Sequence, residues 1–294
     1  MTRYLDPRSD LVFKRIFGEN PDLAMSFLNA LMPLRPDQQI VELSYLPTEM
    51  VPTDAIQKRN SIVDVRCRDN TGRQFLVEMQ MYWTEGFVKR MVFNASKAYT
   101  RQDFEAGKYS MLKNVYALAL INDIFDHETD EFYHLYEIIN RSNPKEKIED
   151  MEFVLVELPK FTPHTMSEKK MAALWLRFLN ETKGEHDIPA ELEENPEISK
   201  ALQMCRESAF STAELYAYET FWDAVYVEKT RIYDAEVRGR AEGIEIGEKR
   251  GEQKKVAEII LNCKQSGLSI SQIALIVNLS EDEVTKTLTN HTDS

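Results

Sequence analysis

Cysteine, histidine and positive charge are all scarce in this sequence of 294 residues, and each shortage excludes a class of protein. The three cysteines, Cys67, Cys205 and Cys263, stand far apart, and no pair has metal-ligand spacing. Neither a disulfide framework nor a zinc motif is therefore expected. Acidic side chains outnumber basic ones by 49 to 36, which gives a net charge of −13. A role in binding nucleic acid would consequently need a local basic surface.

Long apolar runs are also missing. No segment approaches the roughly 20 apolar residues of a membrane span, and the first ten residues, MTRYLDPRSD, lack the apolar core of a signal peptide. Because 43% of the residues are hydrophobic, the chain is expected to be globular rather than disordered. We predict a cytoplasmic protein that does not contact a membrane.

The sequence does contain an alternation of helical and strand patterns. The order αα-β-ββ-α-β-β predicts an α/β fold, a mixed sheet with helices packed on it. The all-apolar stretch 114–122 is expected to be a central strand, covered on both faces. Helices are predicted over residues 10–31 (a second helix starting at Pro21), 85–105 (closed by Gly107), 167–182, 189–207 and 211–233, and strands over 40–46, 61–68, 73–83, 114–122, 131–139 and 152–158.

Four glycines recur every four residues in the charged segment 236–256, at Gly239, Gly243, Gly247 and Gly251. Each glycine costs a helix up to about 1 kcal/mol relative to alanine. One interpretation is a solvated connecting helix. The other is close helix–helix packing in a homo-oligomer, because small residues at this spacing allow close approach.

The last segment, 257–294, predicts three short helices in a helix-turn-helix pattern, with Ser269 and Ser280 as caps. A DNA-reading form would place the last helix in the major groove. That helix begins with three acidic residues, 281–283, and contains only Lys286 as a base, so phosphates would be repelled. A packing or oligomerisation module is favoured over a DNA-binding regulator.

The stretch FLVEMQMYW, residues 75–83, alternates like a strand but carries Glu78 and Gln80 on one face. The turn DNTG at 69–72 pairs it with IVDVRC and places Asp64 near Glu78. Two converging carboxylates repel each other unless a cation such as Mg²⁺ lies between them. The alternative is that Asp64 meets solvent, Arg66 or Lys58, and that Glu78 pairs with an arginine of the following helix.

The arrangement D-(x13)-E-x-Q on a hairpin, followed by a helix with Arg90, resembles the PD-(D/E)xK nuclease site. The chain more closely resembles the Rpn family of recombination-promoting nucleases, also described as transposases. The matching stretches cover nearly the whole chain: residues 10–32, 61–80, 89–102, 107–122 and the glycine-repeat tail with its terminal GLSISQIA.

The resemblance implies a role for each matching residue. Asp64 and Glu78 would bind the metal together with the backbone carbonyl of Met79, and Gln80 stands where most of the superfamily has lysine. Asp10 resembles the acidic residue that this superfamily often places on its first helix. The alternative is that Asp10 only caps the N-terminus of this helix. The implied DNA-binding residues are Lys14, Lys58, Arg90 and Lys97, with Lys89 and Arg101 completing a basic rim; for Arg90 and Lys97 the alternative is a solvated helix face.

The implied function is a Mg²⁺-dependent (or Mn²⁺-dependent) DNA endonuclease, a hydrolase linked to DNA recombination or mobile elements. The rival hypothesis is a nuclease-fold protein with little or no activity that acts in assembly or regulation. The expected domains are a nuclease-like core (1–160), a helical subdomain (161–235), a connecting helix (236–256) and a helix-turn-helix-like module (257–294).

Overall fold

The computed structural model describes residues 3–50, 61–103, 105, 107–163, 170–184 and 188–290. The chain divides into two compact units, Met1–Val225 and Tyr226–Ser294. None of the helices in the described ranges is long and apolar enough to cross a membrane.

The first unit combines a mixed sheet with helices, as predicted for an α/β fold. Its strands are β1 (Leu43–Tyr45), β2 (Glu49–Met50), β3 (Ser61–Ile62), β4 (Val65–Asp69), β5 (Gln74–Gln80), β6 (Val115–Ile121), β7 (Tyr133–Asn140) and β8 (Asn143–Glu157). Its helices are α1 (Asp10–Phe13), a π-helical turn (Lys14–Gly18), α2 (Pro21–Leu31), α3 (Glu85–Thr100), α4 (Lys170–Glu181), α5 (Ala190–Glu194), α6 (Pro196–Cys205) and the start of α7 (Thr212–Gln265), with short 3₁₀ turns at 36–38, 109–111, 158–160 and 207–209.

Six strands form one sheet in the order β1-β4-β5-β6-β8-β7. Strands β5, β6 and β8 are parallel, and the other pairs of this sheet are antiparallel. Every residue of β6 is buried, which confirms its predicted central position. The parallel arrangement brings the carboxyl ends of β5, β6 and β8 to one edge of the sheet.

Apolar side chains alternate along the strands and so build a core on each face of the sheet. On one face, Phe75 and Val77 belong to the larger core together with residues of α1, α2, α4 and α6. There Phe17 packs on Phe27 at 4.3 Å between ring centroids, and Trp175 meets both rings edge-on. On the other face Leu76 packs with the apolar side of α3.

Helix α3 is shorter than predicted, since it ends at Thr100 instead of residue 105. After Arg101 the side chain of Gln102 accepts the backbone N–H of Lys113 at 2.8 Å and donates to the carbonyl of Lys113 at 2.7 Å. This tie to the segment before β6 replaces a further helical turn. Gly107, with φ +86°, therefore lies in the connecting loop and does not close the helix.

Strand β8 is longer than the predicted 152–158, because its first half pairs only with β7. This first half, near Lys147, is exposed and charged, so it shows no apolar alternation that could reveal a strand. Only Met151–Glu157 also pairs with β6. The predicted helix 189–207 is likewise divided, because Asn195 ends α5 and caps α6.

The predicted separate helices 211–233 and 236–256, and the first short helix of the tail, form one continuous helix α7. Pairs such as Lys249–Glu245, at 2.6 Å, support its exposed face. In the second unit α8 (Ile270–Val277) and α9 (Glu281–Asn290) pack with the end of α7 around Ile260, Ile273 and Val284. Both predicted caps are confirmed: Ser269 and Ser280 accept the backbone N–H groups of Gln272 and Glu283 at 3.3 Å.

The glycine repeat offers a direct test of the two interpretations of this segment. A methyl group added at Gly243 meets no atom within 4 Å in the part of the chain that the structure describes. Gly243→Ala is therefore expected to raise the thermal stability of α7, by about 1 kcal/mol, as followed by circular dichroism. Gly267→Ala is the matched control, because φ is +86° at Gly267 and alanine there costs about 1–2 kcal/mol. Dissociation of an oligomer by Gly243→Ala, seen by light scattering, would favour helix–helix packing instead.

Candidate active site

The structure brings Asp64 and Glu78 to the same end of the hairpin. Strand β4 pairs with β5 so that Val65 lies opposite Val77, and Asp64 and Glu78 are the next residues beyond this last pair. The two carboxylates are close enough for the charge of Glu78 to act on Asp64. Asp64 occupies a bend immediately before β4, and its Oδ2 accepts the backbone N–H of Met79 at 2.7 Å. In an antiparallel pair one residue exchanges both its backbone groups with the same neighbour, so the Met79 carbonyl also faces the Asp64 side.

Glu78 is buried, with 6% of its surface exposed, and its carboxylate is held by α3. The side-chain amide of Asn94 donates to Oε1 at 2.8 Å, and Nη2 of Arg90 lies 3.3 Å from Oε2. Asn94 was not identified from the sequence. The signal that could have revealed it is its place on the apolar side of α3, four residues after Arg90.

Gln80 lies on the same face of β5 and shares Arg90 with Glu78. Its Oε1 accepts from Nη2 of Arg90 at 2.8 Å, while its Nε2 donates to the carbonyl of Tyr82 at 2.7 Å. The amide is thus fixed at both ends. One guanidinium group therefore stands beside both polar side chains of the strand.

The charges around Asp64 act on its protonation. Burial, the largest cause, raises the pKa of Asp64 to about 6, and the negative charges of Asp10 and Glu78 add to this rise. The hydrogen bond from Met79 and the charge of Lys14 lower the pKa and partly oppose it. A cation beside this carboxyl would stabilise its charged form and so oppose the rise in pKa that burial causes.

Asp10 and Lys14 form an ion pair at 2.6 Å on the first helical segment, close enough to Asp64 to influence its pKa. The alternative of Asp10 as helix N-cap is wrong, because Ser9 is the cap and accepts the N–H of Val12. Both Asp10 and Lys14 line a pocket of about 400 Å³ with Phe221.

A buried cluster at the same edge of the sheet was missed from the sequence. Arg8 binds both carboxylate oxygens of Asp6, at 2.9 and 2.6 Å, and the side chain of Asn122 at 2.6 Å. The backbone N–H of Asn122 in turn donates to the carbonyl of Gln80 at 2.8 Å. The N-terminal segment thereby supports the strand end that carries Gln80.

The remaining candidates lie elsewhere. Lys97 extends over the ring of Phe93, with Nζ 4.7 Å from the ring centroid. Lys58 falls in the range 51–60, outside the described residues.

The oxygen donors suit a hard divalent cation. Asp64 and Glu78 offer carboxylate oxygens and Met79 a carbonyl oxygen, and Mg²⁺ commonly uses one or two carboxylates and completes its shell with water. In the ranges that the structure describes, no three His, Cys, Asp or Glu side chains come close enough together to hold a metal ion.

A mixed sheet flanked by helices, with an Asp at the hairpin end and a Glu-x-Gln strand, defines a PD-(D/E)xK nuclease fold. A sequence model of the PD-(D/E)XK nuclease family transposases matches residues 7–235, and the chain belongs to this family. No curated protein and no solved structure matches the chain. Membership confirms the resemblance and the fold class, assigns the chain a nuclease- or transposase-related role, and implies DNA as the substrate.

Proposed function

We propose that this protein is a metal-dependent DNA endonuclease that hydrolyses phosphodiester bonds during recombination or the movement of mobile DNA. The observation that supports this most is the convergence of Asp64 and Glu78 at the end of β5, with Gln80 and Arg90 beside them. Family membership supplies the link to DNA.

In this proposal Asp64, Glu78 and the carbonyl of Met79 hold Mg²⁺ or Mn²⁺. A bound divalent cation lowers the pKa of a coordinated water and stabilises charge on a phosphate. Gln80 is neutral and cannot provide charge, but its fixed amide can orient the attacking water. Arg90, already held at Gln80, supplies the positive charge that a lysine gives in most of the superfamily.

Binding of DNA requires cations near this acidic pair, since the whole chain has a net charge of −13. Lys14 and Arg90 lie closest to the carboxylates, and Lys97 follows along α3. We assign the chemistry to residues 1–160, and assembly or regulation to the regions 161–235, 236–256 and 257–294, including self-association through the C-terminal helices.

The second candidate function is a nuclease-fold interaction protein without activity. Two observations favour it: the motif carries Gln80 in place of lysine, and Arg90 occupies one oxygen of Glu78 at 3.3 Å. The two functions differ in their dependence on metal and on the carboxylates.

A cleavage assay on supercoiled plasmid distinguishes the nuclease from the interaction protein. Wild-type protein, Asp64→Ala and Glu78→Ala are incubated with Mg²⁺, Mn²⁺ or EDTA, and nicked and linear products are quantified. We expect cleavage by the wild type with either metal, none in EDTA, and a loss of at least about 100-fold in each variant, because each removes a ligand of the cation.

Equal cleavage by all three proteins would show that the activity comes from elsewhere. Absence of cleavage by the wild type, together with absence of Mn²⁺ binding in calorimetry, would establish the interaction protein. Glu181→Ala is a suitable control, because this glutamate pairs with Arg177 on α4 and leaves the hairpin untouched.

A further inference from the structure

Helix α3 is rich in basic side chains, whereas the chain as a whole is acidic. The segment 85–101 contains four basic side chains and a single acidic one, Glu85. Arg90, Lys97 and Arg101 are spaced seven and four residues apart, so the helical period places them within a stripe about 40° wide. Phe93 lies between the first two, and 47% of its surface is exposed. We call Arg66, Arg90, Phe93, Lys97 and Arg101 the α3 surface.

Cations crowd together on the α3 surface. Arg66 of β4 donates to the side chain of Gln74 at 2.9 Å and to the carbonyl of Pro47 at 3.3 Å, both uncharged acceptors. Its Nε is buried and has no hydrogen-bond partner within the described part of the protein. Burial and then the charge of Arg101 lower the pKa of Arg66, and the same two causes lower the pKa of Lys97. Such crowding is relieved when an anion binds.

The exposed ring of Phe93 adds a second kind of contact. Lys97 lies over this ring, 4.7 Å from its centroid. Proteins that bind single strands combine a cationic track for the backbone with aromatic rings on which bases stack. Paired bases hide their faces inside a duplex, so a ring presented among cations suits a base that has no partner.

We propose that the α3 surface binds unpaired DNA, with one base stacked on Phe93 and the adjoining phosphates at Arg90 and Lys97. The choice of DNA rests on the proposed function. Because Arg90 also contacts Glu78 and Gln80, the strand bound here leads directly to the carboxylate pair. The substrate class is thus DNA with a single-stranded stretch, such as a hairpin loop, a flap or a melted end.

Fluorescence anisotropy of the full-length protein in EDTA tests the proposal without cleavage. The probes are a labelled oligothymidylate of about 12 nucleotides, a duplex of equal length and an abasic strand of equal length. We expect the single strand to bind more tightly than the duplex. Phe93→Leu should weaken binding of oligothymidylate about tenfold and leave the abasic strand unchanged, because only the stacked base is lost.

Lys97→Gln should instead weaken binding of both single strands and reduce the slope of log affinity against log salt by about 1. Tyr216→Leu is the matched control, an exposed aromatic on α7 that should change neither. Tighter binding of duplex, or equal binding of oligothymidylate by Phe93→Leu and the wild type, would overturn the proposal. Plasmid cleavage by Phe93→Leu reports on the nuclease separately: retained cleavage with unaltered binding would refute only the α3 surface.

Discussion

Asp64→Asn is expected to yield a protein that is more stable than the wild type at pH 8 and unable to cleave DNA. Asparagine keeps an oxygen for the N–H of Met79 but removes the charge. Loss of a metal-binding carboxylate should reduce cleavage at least about 100-fold. The gain in stability follows from the pKa of Asp64, which burial raises to about 6.

The sign of the stability effect follows from proton linkage. The unfolded aspartate titrates near 3.9, so the folded protein binds the proton more tightly. Ionised Asp64 therefore destabilises the metal-free fold fully above pH 6, and this cost disappears as the pH falls through 6 towards 4. A shift of this size corresponds to about 1–3 kcal/mol once partial solvation is allowed for.

Urea denaturation in EDTA at pH 8 and pH 4 measures the difference. The free energy of unfolding of Asp64→Asn should exceed that of the wild type at pH 8 and equal it at pH 4. Asp130→Asn removes an exposed carboxylate and should change little at either pH. If Asp64→Asn were less stable than the wild type at both values, the burial of charge at this position would not be a cost.

Arg90→Gln is expected to bind Mn²⁺ more tightly but to cleave DNA more slowly. In the metal-free protein the guanidinium of Arg90 neutralises Glu78 and bridges it to Gln80, at 3.3 and 2.8 Å. A cation that binds Glu78 must displace or repel this group. Removing Arg90 should raise Mn²⁺ affinity about 3- to 10-fold, equivalent to about 0.7–1.4 kcal/mol, because a competing charge is lost.

The same substitution removes a positive charge from the place where a phosphate would develop negative charge. Loss of one such donor commonly costs 10²- to 10³-fold in rate, so cleavage should fall by about that factor. Arg90→Lys keeps the charge without the planar fork and should lie between the two proteins.

Isothermal titration with Mn²⁺ in the absence of DNA, followed by plasmid cleavage at saturating metal, reads the two effects separately. Lys170→Gln is the control, because this exposed base at the start of α4 makes no ion pair among the described contacts. A lower Mn²⁺ affinity in Arg90→Gln would mean that Arg90 organises Glu78 for the cation and does not compete with it.

Much of the fold could be predicted because its signals are local. The turn at 69–72 fixes the hairpin register and so sets Val65 opposite Val77, with Asp64 beside Glu78. The unbroken apolar run of β6 identifies the central strand. The pattern of polar residues in an apolar strand then locates the candidate site.

The rest depends on contacts between distant parts of the chain, which no local pattern shows. Asn94 meets Glu78 only after α3 packs on the sheet, and Gln102 ends α3 only because it reaches Lys113. The sequence predicts separate helices over 211–233 and 236–256 because the charged segment with its four glycines, each of low helix propensity, differs from the helical pattern before it. Favourable flanking residues sustain the helix through all of them.

The hydrogen bonds of the N-terminal segment can form only after their distant partners have been synthesised. The backbone N–H of Asp6 donates to the hydroxyl of Tyr218, 212 positions later. The side chain of Arg8 donates to the side chain of Asn122, 114 positions later. At 5–20 residues per second a ribosome takes about 10–40 seconds to cover the longer distance. During that interval Asp6 lacks Tyr218, whereas Arg8 lacks Asn122 only for about the first half of it. The N-terminal segment therefore completes its contacts only when the first unit is nearly fully synthesised.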